Sequence, residues 1–372
     1  MSVRLRAAGL HSALGIDLAA AVEALGVGRT ALKPATRFRL PVGEAATVSE
    51  IEHAQFLHTL EDIDAILADT IAAALATTSY SRMPPESLLI LGASGVLFVG
   101  EQMESSMAWF GGAGEVAERL AATLGIKSPP LTIQTACSSS ANGLVLAAEA
   151  ILRDEYPCAI VVGMEGLSPV LLRGFQSLML LDAGGCRPFD VKRGGFHLGE
   201  AVGAILLEPE LDEPQGPGCW LLGGAHVCAA LGGQGQAPDK NAMQEVMEQA
   251  LAAAHKSCRD VIAIKAHGLG TIESDAAEAA AIQAVYGTTL PPITSLKRSF
   301  GHTLGASGVV ETAALMGCLK AGFIPATAGF AHADPALSLT PLTAKLPAKT
   351  GCYQLNFFGF GASYVSLVLW FA

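Results

Sequence analysis

Short apolar runs alternate with amphipathic segments along most of the chain. The pattern predicts buried strands at residues 88–91, 159–162, 261–266 and 293–296, because apolar runs of this length between helices are typical of parallel strands covered on both faces. An amphipathic helix is predicted before the first of these strands, with apolar side chains at helical spacing at Ile63, Ile66, Leu67, Ile71 and Ala74. The alternation indicates an α/β fold.

The second part of the chain repeats the plan of the first. Residues 209–218 resemble a linker, and after them the alternation of strands and helices starts again. The stretch GEAVGAILLE at the end of the first part also resembles GASYVSLVLWF at the end of the second, and each follows a glycine-rich turn. We therefore predict two duplicated halves, residues 1–215 and residues 216–372.

Two predicted helices are short of bulky side chains. One follows Cys137 in the stretch TACSSSANGLVLAAEAIL, and the other follows His302 in GHTLGASGVVETAAL. Each of Gly143, Gly305 and Gly308 costs about 1 kcal/mol relative to alanine in a helix. Close approach of these helices to other backbone would compensate, so we predict that both lie at a deep centre where the halves meet.

Cys137 and two histidines are candidates for chemistry. Cys137 is predicted at or just before a helix N-terminus, where free N–H groups and the helix dipole favour a thiolate; a buried, inert cysteine is the alternative for a lone thiol. His267 directly follows a buried strand, the end of a strand where α/β sheets bind ligands. His302 lies between Gly301 and a small-residue helix, which leaves its ring accessible. This combination favours covalent thioester chemistry over the alternative that all three are structural residues of the core.

Composition narrows the possible functions. The 372 residues are 51% hydrophobic and 15% charged, which allows a large core and suggests surface hidden in an obligate dimer. No run of 18 apolar residues predicts a membrane span, and polar residues interrupt the N-terminal stretch, so we expect mature structure there and not a signal peptide. Eight scattered cysteines predict neither a zinc site nor disulfides and fit a reducing cytoplasm. A net charge of −11 argues against nucleic acid.

Several ordered motifs, taken together, resemble one family across nearly the whole chain. The sequence resembles an elongating β-ketoacyl-[acyl carrier protein] synthase, a member of the thiolase-like superfamily. The motifs, in chain order, are TACSSS with Cys137, RPFDVKRGGFHLGEAVG, HGLGTIESDAAE with His267, LKRSFGHTLGASGVVE with Lys297, His302 and Glu311, and NFFGFGAS with Phe360. The resemblance implies a thiolase-like duplicated fold with αβαβα layers and two mixed five-stranded sheets.

The resemblance also implies the reaction and the role of each residue. The expected activity is an acyltransferase reaction, the decarboxylative Claisen condensation of an acyl thioester with a malonyl group in fatty acid, polyene or polyketide biosynthesis. Cys137 would hold the acyl chain, while His267 and His302 would stabilise the enolate. The backbone N–H groups of Cys137 and Phe360 would form the oxyanion hole, and Phe360 would also act as a gate. Lys297 and Glu311 would orient the histidines, with solvated surface groups as the alternative.

The implied partners follow from the same resemblance. They are an acyl carrier protein bearing acyl and malonyl groups, and a second subunit in a homodimer or in a heterodimer with another ketosynthase-like chain. No metal or cofactor is expected, and the glycine-rich residues 231–236 lack the following helix that a nucleotide site needs. Because carrier proteins are acidic, a local basic patch is expected. Its candidates are Arg187, Lys192, Arg193 and Arg298.

Some positions depart from the family pattern and leave other functions open. Ala362, Ser363 and Tyr364 replace the usual end of the last motif, Leu269 replaces a threonine, and Ser274 and Arg298 replace an asparagine and a serine, respectively. The altered loop keeps open a non-condensing partner subunit that shapes the cavity of a heterodimer, as chain-length factors do, although Cys137 counts against it. A thiolase-fold hydrolase or acyltransferase would leave the second histidine unexplained.

Overall fold

The computed structural model describes residues 2–37, 46–52, 60–80, 82–94, 112–210, 214, 216–229 and 238–372. The glycine-rich residues 231–236, and residues 101–111 of an irregular stretch expected to pack on the core or line a cleft, lie outside this part of the chain. The strands, in chain order, are β1 (Ser2–Ser12), β2 (Lys33–Pro34), β3 (Thr47–Ser49), β4 (Leu88–Gly92), β5 (Leu131–Ile133), β6 (Ala159–Glu165), β7 (Leu198–Gly199), β8 (Ala201–Glu210), β9 (Cys219–Cys228), β10 (Val261–Lys265), β11 (Ile293–Thr294), β12 (Phe323–Ile324), β13 (Leu346–Pro347), β14 (Gly351–Gly359) and β15 (Ser363–Phe371).

The helices alternate with these strands. They are α1 (Leu18–Gly26), α2 (Leu60–Leu75), α3 (Ala113–Leu124), α4 (Ser139–Leu152), α5 (Pro169–Ser177), α6 (Lys240–Ala253), α7 (Ile272–Tyr286), α8 (Lys297–Phe300) and α9 (Ser307–Lys320). Helix α5 was not expected from the sequence, because Gly174 interrupts its apolar spacing. Its start nevertheless carries local signals, since Ser168 caps it by accepting from Leu171 N–H and Pro169 begins it.

The main sheet is built twice from the same pairing pattern. Its order is β11-β10-β14-β15-β9-β1-β8-β6-β4-β5. On one side of the centre, β4 pairs in parallel with β5 and β6, and β8 pairs antiparallel with β6 and β1. On the other side, β10 pairs in parallel with β11 and β14, and β15 pairs antiparallel with β14 and β9. This repetition is the internal duplication that the sequence pattern indicates.

One detail of the expected sheets is wrong. The two five-stranded sets are not separate, because β1 pairs antiparallel with β9 at two positions, Val3 with Leu221 and Arg4 with Trp220. The result is one continuous ten-stranded sheet. The polarity of residues 29–48, together with Pro34 and Pro41, predicts a surface loop. Instead, Val48 in β3 is fully buried, and β3 pairs with β2 and β7 in a small sheet.

Alternating strand side chains divide the core into layers. In β4, Leu88 and Ile90 pack with α4 and α9 in a central cluster that also takes in side chains of β14 and β15. Leu89 and Leu91 point to the opposite face, against α2 and α3. On the far side of the second strand set, α6 and α7 cover the remaining face. Helices therefore cover the outer face of each strand set and also fill the space between the two sets. This is the αβαβα order of layers in the thiolase-like fold.

In the central layer, the backbone before and within α9 comes so close to neighbouring backbone that no side chain fits between them. A Cβ atom on Gly308 of α9 would lie 2.1 Å from the backbone nitrogen of Ala141 in α4, and a Cβ on Gly305 would lie 2.3 Å from the carbonyl carbon of Ala93. The expectation of close backbone approach is confirmed for Gly305 and Gly308, whereas at Gly143 an added Cβ would meet side chains, with Val161 Cγ1 at 2.9 Å. Because α4 follows Cys137 and α9 follows His302, this contact brings the two residues together.

Candidate active site

Three of the predicted residues meet at a point that lies before the start of α4, before the start of α9 and after the end of β10. Cys137 lies in a 3-10 turn, residues Ala136–Ser138, directly before α4. His302 precedes the turn that leads into α9, and its Nε2 lies 3.0 Å from the Cys137 sulfur. His267 follows β10, and its ring centroid is 5.6 Å from that of His302, with the rings nearly perpendicular. All three side chains are buried.

These residues line a pocket of about 200 Å³. Apolar side chains form most of its wall, including Phe175, Leu178, Phe196, Leu269 and Phe358. Phe360 lies at its rim, in the turn between β14 and β15, and is 41% exposed. Phe360 also lines a second cavity of about 610 Å³, so one aromatic side chain borders both spaces.

Burial changes the expected chemistry of the cysteine. Desolvation raises the pKa of Cys137 above its ordinary value, while hydrogen bonds from the backbone N–H groups of Phe360 and of Cys137 itself, and the charge of Lys297, act in the opposite direction. The prediction that the helix terminus favours a thiolate is therefore wrong for the free protein, because the cost of burying the anion exceeds the attraction of the nearby dipoles. The thiol is the resting form, and the two predicted oxyanion-hole donors face its sulfur.

The histidines are held in the neutral form. Burial lowers the pKa of both His267 and His302 well below the ordinary value, and the charge of Lys297 lowers it further. Neither ring nitrogen of His267 has a hydrogen-bond partner among the described residues. A neutral imidazole carries one N–H and one free nitrogen, so the His267 ring can bind a ligand atom at the pocket wall.

Lys297 and Glu311 lie behind His302. Lys297 Nζ pairs with Glu311 and donates to Ser307 Oγ over 3.2 Å. Ser307 Oγ lies 3.4 Å from His302 Nδ1, on the side of the ring away from Cys137. Lys297 and Glu311 are fully buried, so neither is the solvated surface group considered as the alternative.

Lys265 was not among the residues predicted from the sequence. Its ammonium group is buried, donates to Glu311 Oε2 over 2.5 Å and to the Asn356 carbonyl over 2.9 Å, and lies 3.6 Å from the centroid of the Phe357 ring. Glu311 therefore binds two lysines. The available signal was one lysine in the otherwise apolar stretch AIKAH, since a charged side chain in a buried strand needs a partner.

Asp275 and Glu278 hold the backbone around His267. Glu278 accepts from the N–H groups of His267 and Gly268, each over 2.7 Å. Asp275 accepts from Gly270 N–H and, over 2.7 Å, from Phe189 N–H in the first half of the chain. Burial raises the pKa of Asp275 to about 6 and that of Glu278 to about 7.

Positions that depart from the family pattern contact the same pocket. Tyr364 lines it, accepts a hydrogen bond from Asp239 N–H over 3.0 Å and packs edge-on against Phe358, whose ring is 6.1 Å from that of His267. Leu269 and Ser274 also line the pocket. The altered residues therefore shape the wall of the pocket, while Cys137 and the two histidines keep close mutual contact.

The four candidate basic residues do not form one free surface. Arg193 is buried and pairs with Asp334 over 2.7 Å. Arg298 donates to the carbonyl groups of Gly184 and Cys186. Arg187 is half-buried, and only Lys192 is exposed. Internal hydrogen bonds thus occupy two of the four side chains, which leaves little of the expected patch.

Among the described residues, no group of three or more His, Cys, Asp or Glu side chains is arranged to hold a metal ion. In the same part of the chain, no helix is both long and apolar enough to cross a bilayer.

The curated proteins and solved structures that resemble this chain are of related kinds. A curated relative, "Spectinabilin polyketide synthase system protein NorC" of Streptomyces orinoci, is 35% identical over 227 residues, 58% of this chain and 10% of the relative. This chain thus spans about a tenth of that protein. A solved structure described as "Ketosynthase (ApeO) in Complex with its Chain Length Factor (ApeC) from Xenorhabdus doucetiae" superposes with a TM-score of 0.82 and 25% identity, covering 100% of this chain and 98% of that one.

A third similar protein supports only the fold, because its sequence identity to this chain is low. The structure described as "AntDE:AntF (apo): type II PKS acyl-carrier protein in complex with its ketosynthase bound to the hexaketide" superposes with a TM-score of 0.86 at 20% identity, covering 100% of this chain and 99% of that one.

The family assignment rests on two adjacent matches. The family described as "Beta-ketoacyl synthase, N-terminal domain" matches residues 62–213, and that described as "Beta-ketoacyl synthase, C-terminal domain" matches residues 223–331. Together they cover more than half of the chain, in the order in which the two strand sets follow one another. The chain belongs to the β-ketoacyl synthase family.

Proposed function

We propose that this chain is a condensing enzyme that joins an acyl thioester to a malonyl group, both carried on acyl carrier protein. The observation that carries this proposal is the contact of 3.0 Å between His302 Nε2 and the Cys137 sulfur, with His267 beside them in one pocket. A thiol and two neutral imidazoles suit a reaction with a covalent thioester and an enolate. The reaction belongs to fatty acid, polyene or polyketide biosynthesis.

In the first step, Cys137 accepts the acyl group. Its sulfur attacks the carbonyl carbon of the acyl thioester, and His302 Nε2 takes the thiol proton. The bond to the carrier sulfur breaks, and that sulfur leaves with the proton. The negative oxygen formed during the attack accepts hydrogen bonds from the N–H groups of Cys137 and Phe360. Fixed donors of this kind are commonly worth about 2.7–4 kcal/mol each.

In the second step, the malonyl group loses carbon dioxide. The electron pair of the broken C–C bond forms an enolate, whose oxygen accepts hydrogen bonds from His267 and from His302 with its Nε2 protonated. The enolate carbon then attacks the acyl group on Cys137 and a new C–C bond forms. The bond from the acyl carbon to the Cys137 sulfur breaks, and the sulfur leaves as a thiolate that takes up a proton from water. Neutral imidazoles suit this task because they donate without adding a buried charge.

Three residues support this chemistry without reacting. Lys297 and Glu311 orient His302 through Ser307, and Phe360 acts as a gate between the two cavities that it borders. Phe175 lies 6.5 Å from Phe360, ring centroid to centroid, and packs edge-on against it. We further propose that residues 1–215 and 216–372 are the two halves that supply the cysteine and the histidines, respectively.

The partners proposed are an acyl carrier protein and a second ketosynthase-like subunit, in a homodimer or heterodimer in the cytoplasm. Support comes from one related structure that holds a chain length factor and another that holds an acyl carrier protein. The chain's apolar composition, 51% hydrophobic residues, fits a subunit that buries further surface on assembly.

A second candidate is a non-condensing subunit that shapes the cavity of a heterodimer. One observation favours it: Tyr364 and Leu269, which depart from the condensing pattern, both line the pocket. The intact contact between Cys137 and His302 favours the condensing role.

Intact-protein mass spectrometry distinguishes the two functions. The purified chain is incubated with acyl-loaded carrier protein, alone and with candidate ketosynthase partners. Acyl mass on the wild type and on Cys228→Ala, but not on Cys137→Ala, is the result expected for a condensing enzyme; Cys228 is an exposed thiol and controls for non-specific transfer. Acylation of a partner alone would assign the cavity-shaping role.

A further inference from the structure

A short segment of the first half of the chain holds His302 by three contacts. The ring of Phe196 packs edge-on against the His302 ring, with the centroids 5.3 Å apart. The carbonyl oxygen of His197 accepts a hydrogen bond from His302 N–H over 2.8 Å, and Gly199 N–H donates to the His302 carbonyl over 3.1 Å. The place of the His302 ring therefore depends on where residues 196–199 lie.

The side chain of His197 ties this segment to two other parts of the chain. The ring is fully buried, and its Nδ1 accepts a hydrogen bond from Cys186 N–H over 3.2 Å. The ring proton is therefore on Nε2, which donates to Ser49 Oγ in β3 over 3.1 Å. Burial lowers the pKa of His197 to about 3, so the ring is neutral at neutral pH and keeps both hydrogen bonds.

The Cys186 side chain extends this connection to the loop that follows His267. Its S–H group donates to the Leu269 carbonyl over 2.9 Å, and Leu269 is two residues after His267. Burial raises the pKa of the Cys186 thiol, so the sulfur keeps the proton that this contact needs. Hydrogen bonds thus lead from the backbone of His302, through both the carbonyl group and the ring of His197, to the loop behind His267.

We propose that His197 is a positioning residue of the condensing site: its ring anchors residues 196–199, and these residues hold His302 in contact with Cys137. The inference rests on the proposed function for its effect on catalysis. Without the ring, the buried Cys186 N–H would lose this acceptor. Since an unpaired buried donor is unfavourable, the surrounding backbone would shift and move His302 relative to the Cys137 sulfur.

Two substitutions of nearly the same shape, His197→Leu and His197→Asn, test the anchor. Each new side chain carries two heavy atoms on Cγ, but only asparagine has an acceptor oxygen there, in the place of the ring Nδ1. The two variants therefore differ in whether Cys186 N–H keeps a partner, while both lose the imidazole ring.

The first measurement is the rate at which iodoacetamide alkylates Cys137, followed by peptide mass spectrometry in the full chain. The thiolate is the reactive form, and His302 Nε2, 3.0 Å from the sulfur, takes the proton. His197→Leu should slow alkylation about tenfold, because a displacement of 1 Å can cost about a hundredfold and a smaller shift is expected. His197→Asn should stay within about threefold of the wild type.

The exposed thiol of Cys228 is an internal control, since it should be alkylated at one rate in all three proteins. Urea denaturation sets conditions under which each protein is folded. A wild-type rate at Cys137 in folded His197→Leu would overturn the proposal, because the ring would then be only structural. An equally slow His197→Asn, or loss of folding in both variants, would also overturn it, since the restored acceptor should replace the anchor.

A second measurement connects the anchor to catalysis. In the release of carbon dioxide from malonyl-loaded carrier protein, His197→Leu should lower kcat about tenfold and leave KM unchanged, because His302 is displaced while binding of the carrier is not. A change in KM alone would contradict a positioning role. If the wild type does not decarboxylate malonyl groups, the proposed function fails, while alkylation of Cys137 still decides the role of His197.

Discussion

Replacing Gly308 by alanine tests the contact that brings the two halves of the site together. The added Cβ would lie 2.1 Å from the backbone nitrogen of Ala141 and 2.6 Å from its Cα. Both atoms belong to the backbone of α4, so no side chain can rotate away, and the two helices must separate by a sizeable fraction of an ångström.

The expected effect is the difference between two opposing terms. Alanine is favoured over glycine in a helix by about 1 kcal/mol, whereas overpacking in a dense core costs about 1–3 kcal/mol or more. Because the clash is with backbone, the upper end applies, and we expect Gly308→Ala to lower the free energy of unfolding by about 2 kcal/mol. The same separation would lengthen the contact between His302 and Cys137, and a misplacement of 1 Å can cost about a hundredfold in rate.

The assay pairs chemical denaturation with the rate of acyl transfer to Cys137. Gly174→Ala in α5 is the matched control, since nothing lies within 4 Å of its added Cβ, and this variant should be more stable than the wild type by up to about 1 kcal/mol. Equal or greater stability of Gly308→Ala would refute the argument that backbone contact between α4 and α9 requires glycine there.

Three further predictions follow from the site. His302→Ala should still form the acyl adduct on Cys137, more slowly because the thiol loses its base, while malonyl decarboxylation falls further, at least about a hundredfold; an equal loss of both steps, measured by intact mass and by release of carbon dioxide, would contradict the assigned role. Burial raises the pKa of Glu165 to about 7 against hydrogen bonds from Ser94 and Gly305, so its contribution to stability is full below about pH 4.5 and is lost as pH rises through 7. Glu165→Gln should therefore flatten the stability curve between these values, and an unchanged slope in denaturation experiments would count against the raised pKa. Tyr364→Phe removes the hydrogen bond from Asp239 N–H and should cost about 1 kcal/mol in urea denaturation, whereas an unchanged midpoint would show that this bond adds no stability.

Local patterns were sufficient for much of the fold. The small residues around Cys137 indicated a turn before a helix, and the structure has that turn at Ala136–Ser138. Gly305 and Gly308 indicated close backbone contact because a glycine in a helix is costly unless space requires it, and the added Cβ distances confirm this. The division at residues 215 and 216 stays a prediction.

Features that depend on long-range contacts were not predictable in the same way. The joining of the two strand sets requires β1 and β9, more than 200 residues apart in the chain, to pair at Val3 and Arg4. The pKa of Cys137 depends on burial by the whole surrounding core, which outweighs the local helix terminus that the sequence shows. The two partners of Glu311 come from separate elements, and the family resemblance implied Lys297 but not Lys265.

The central claim, that Cys137 and the two histidines form one condensing site, is tested most directly by the product. The purified chain, alone and with candidate partner subunits, is given acyl-loaded and isotope-labelled malonyl-loaded carrier protein, and the carrier-bound product is identified by mass spectrometry. The account predicts a labelled 3-oxoacyl product, longer by two carbons, that disappears in Cys137→Ala and persists in Cys228→Ala. Formation of that product by Cys137→Ala at the wild-type rate, or its absence with wild-type chain under every partner condition, would contradict it.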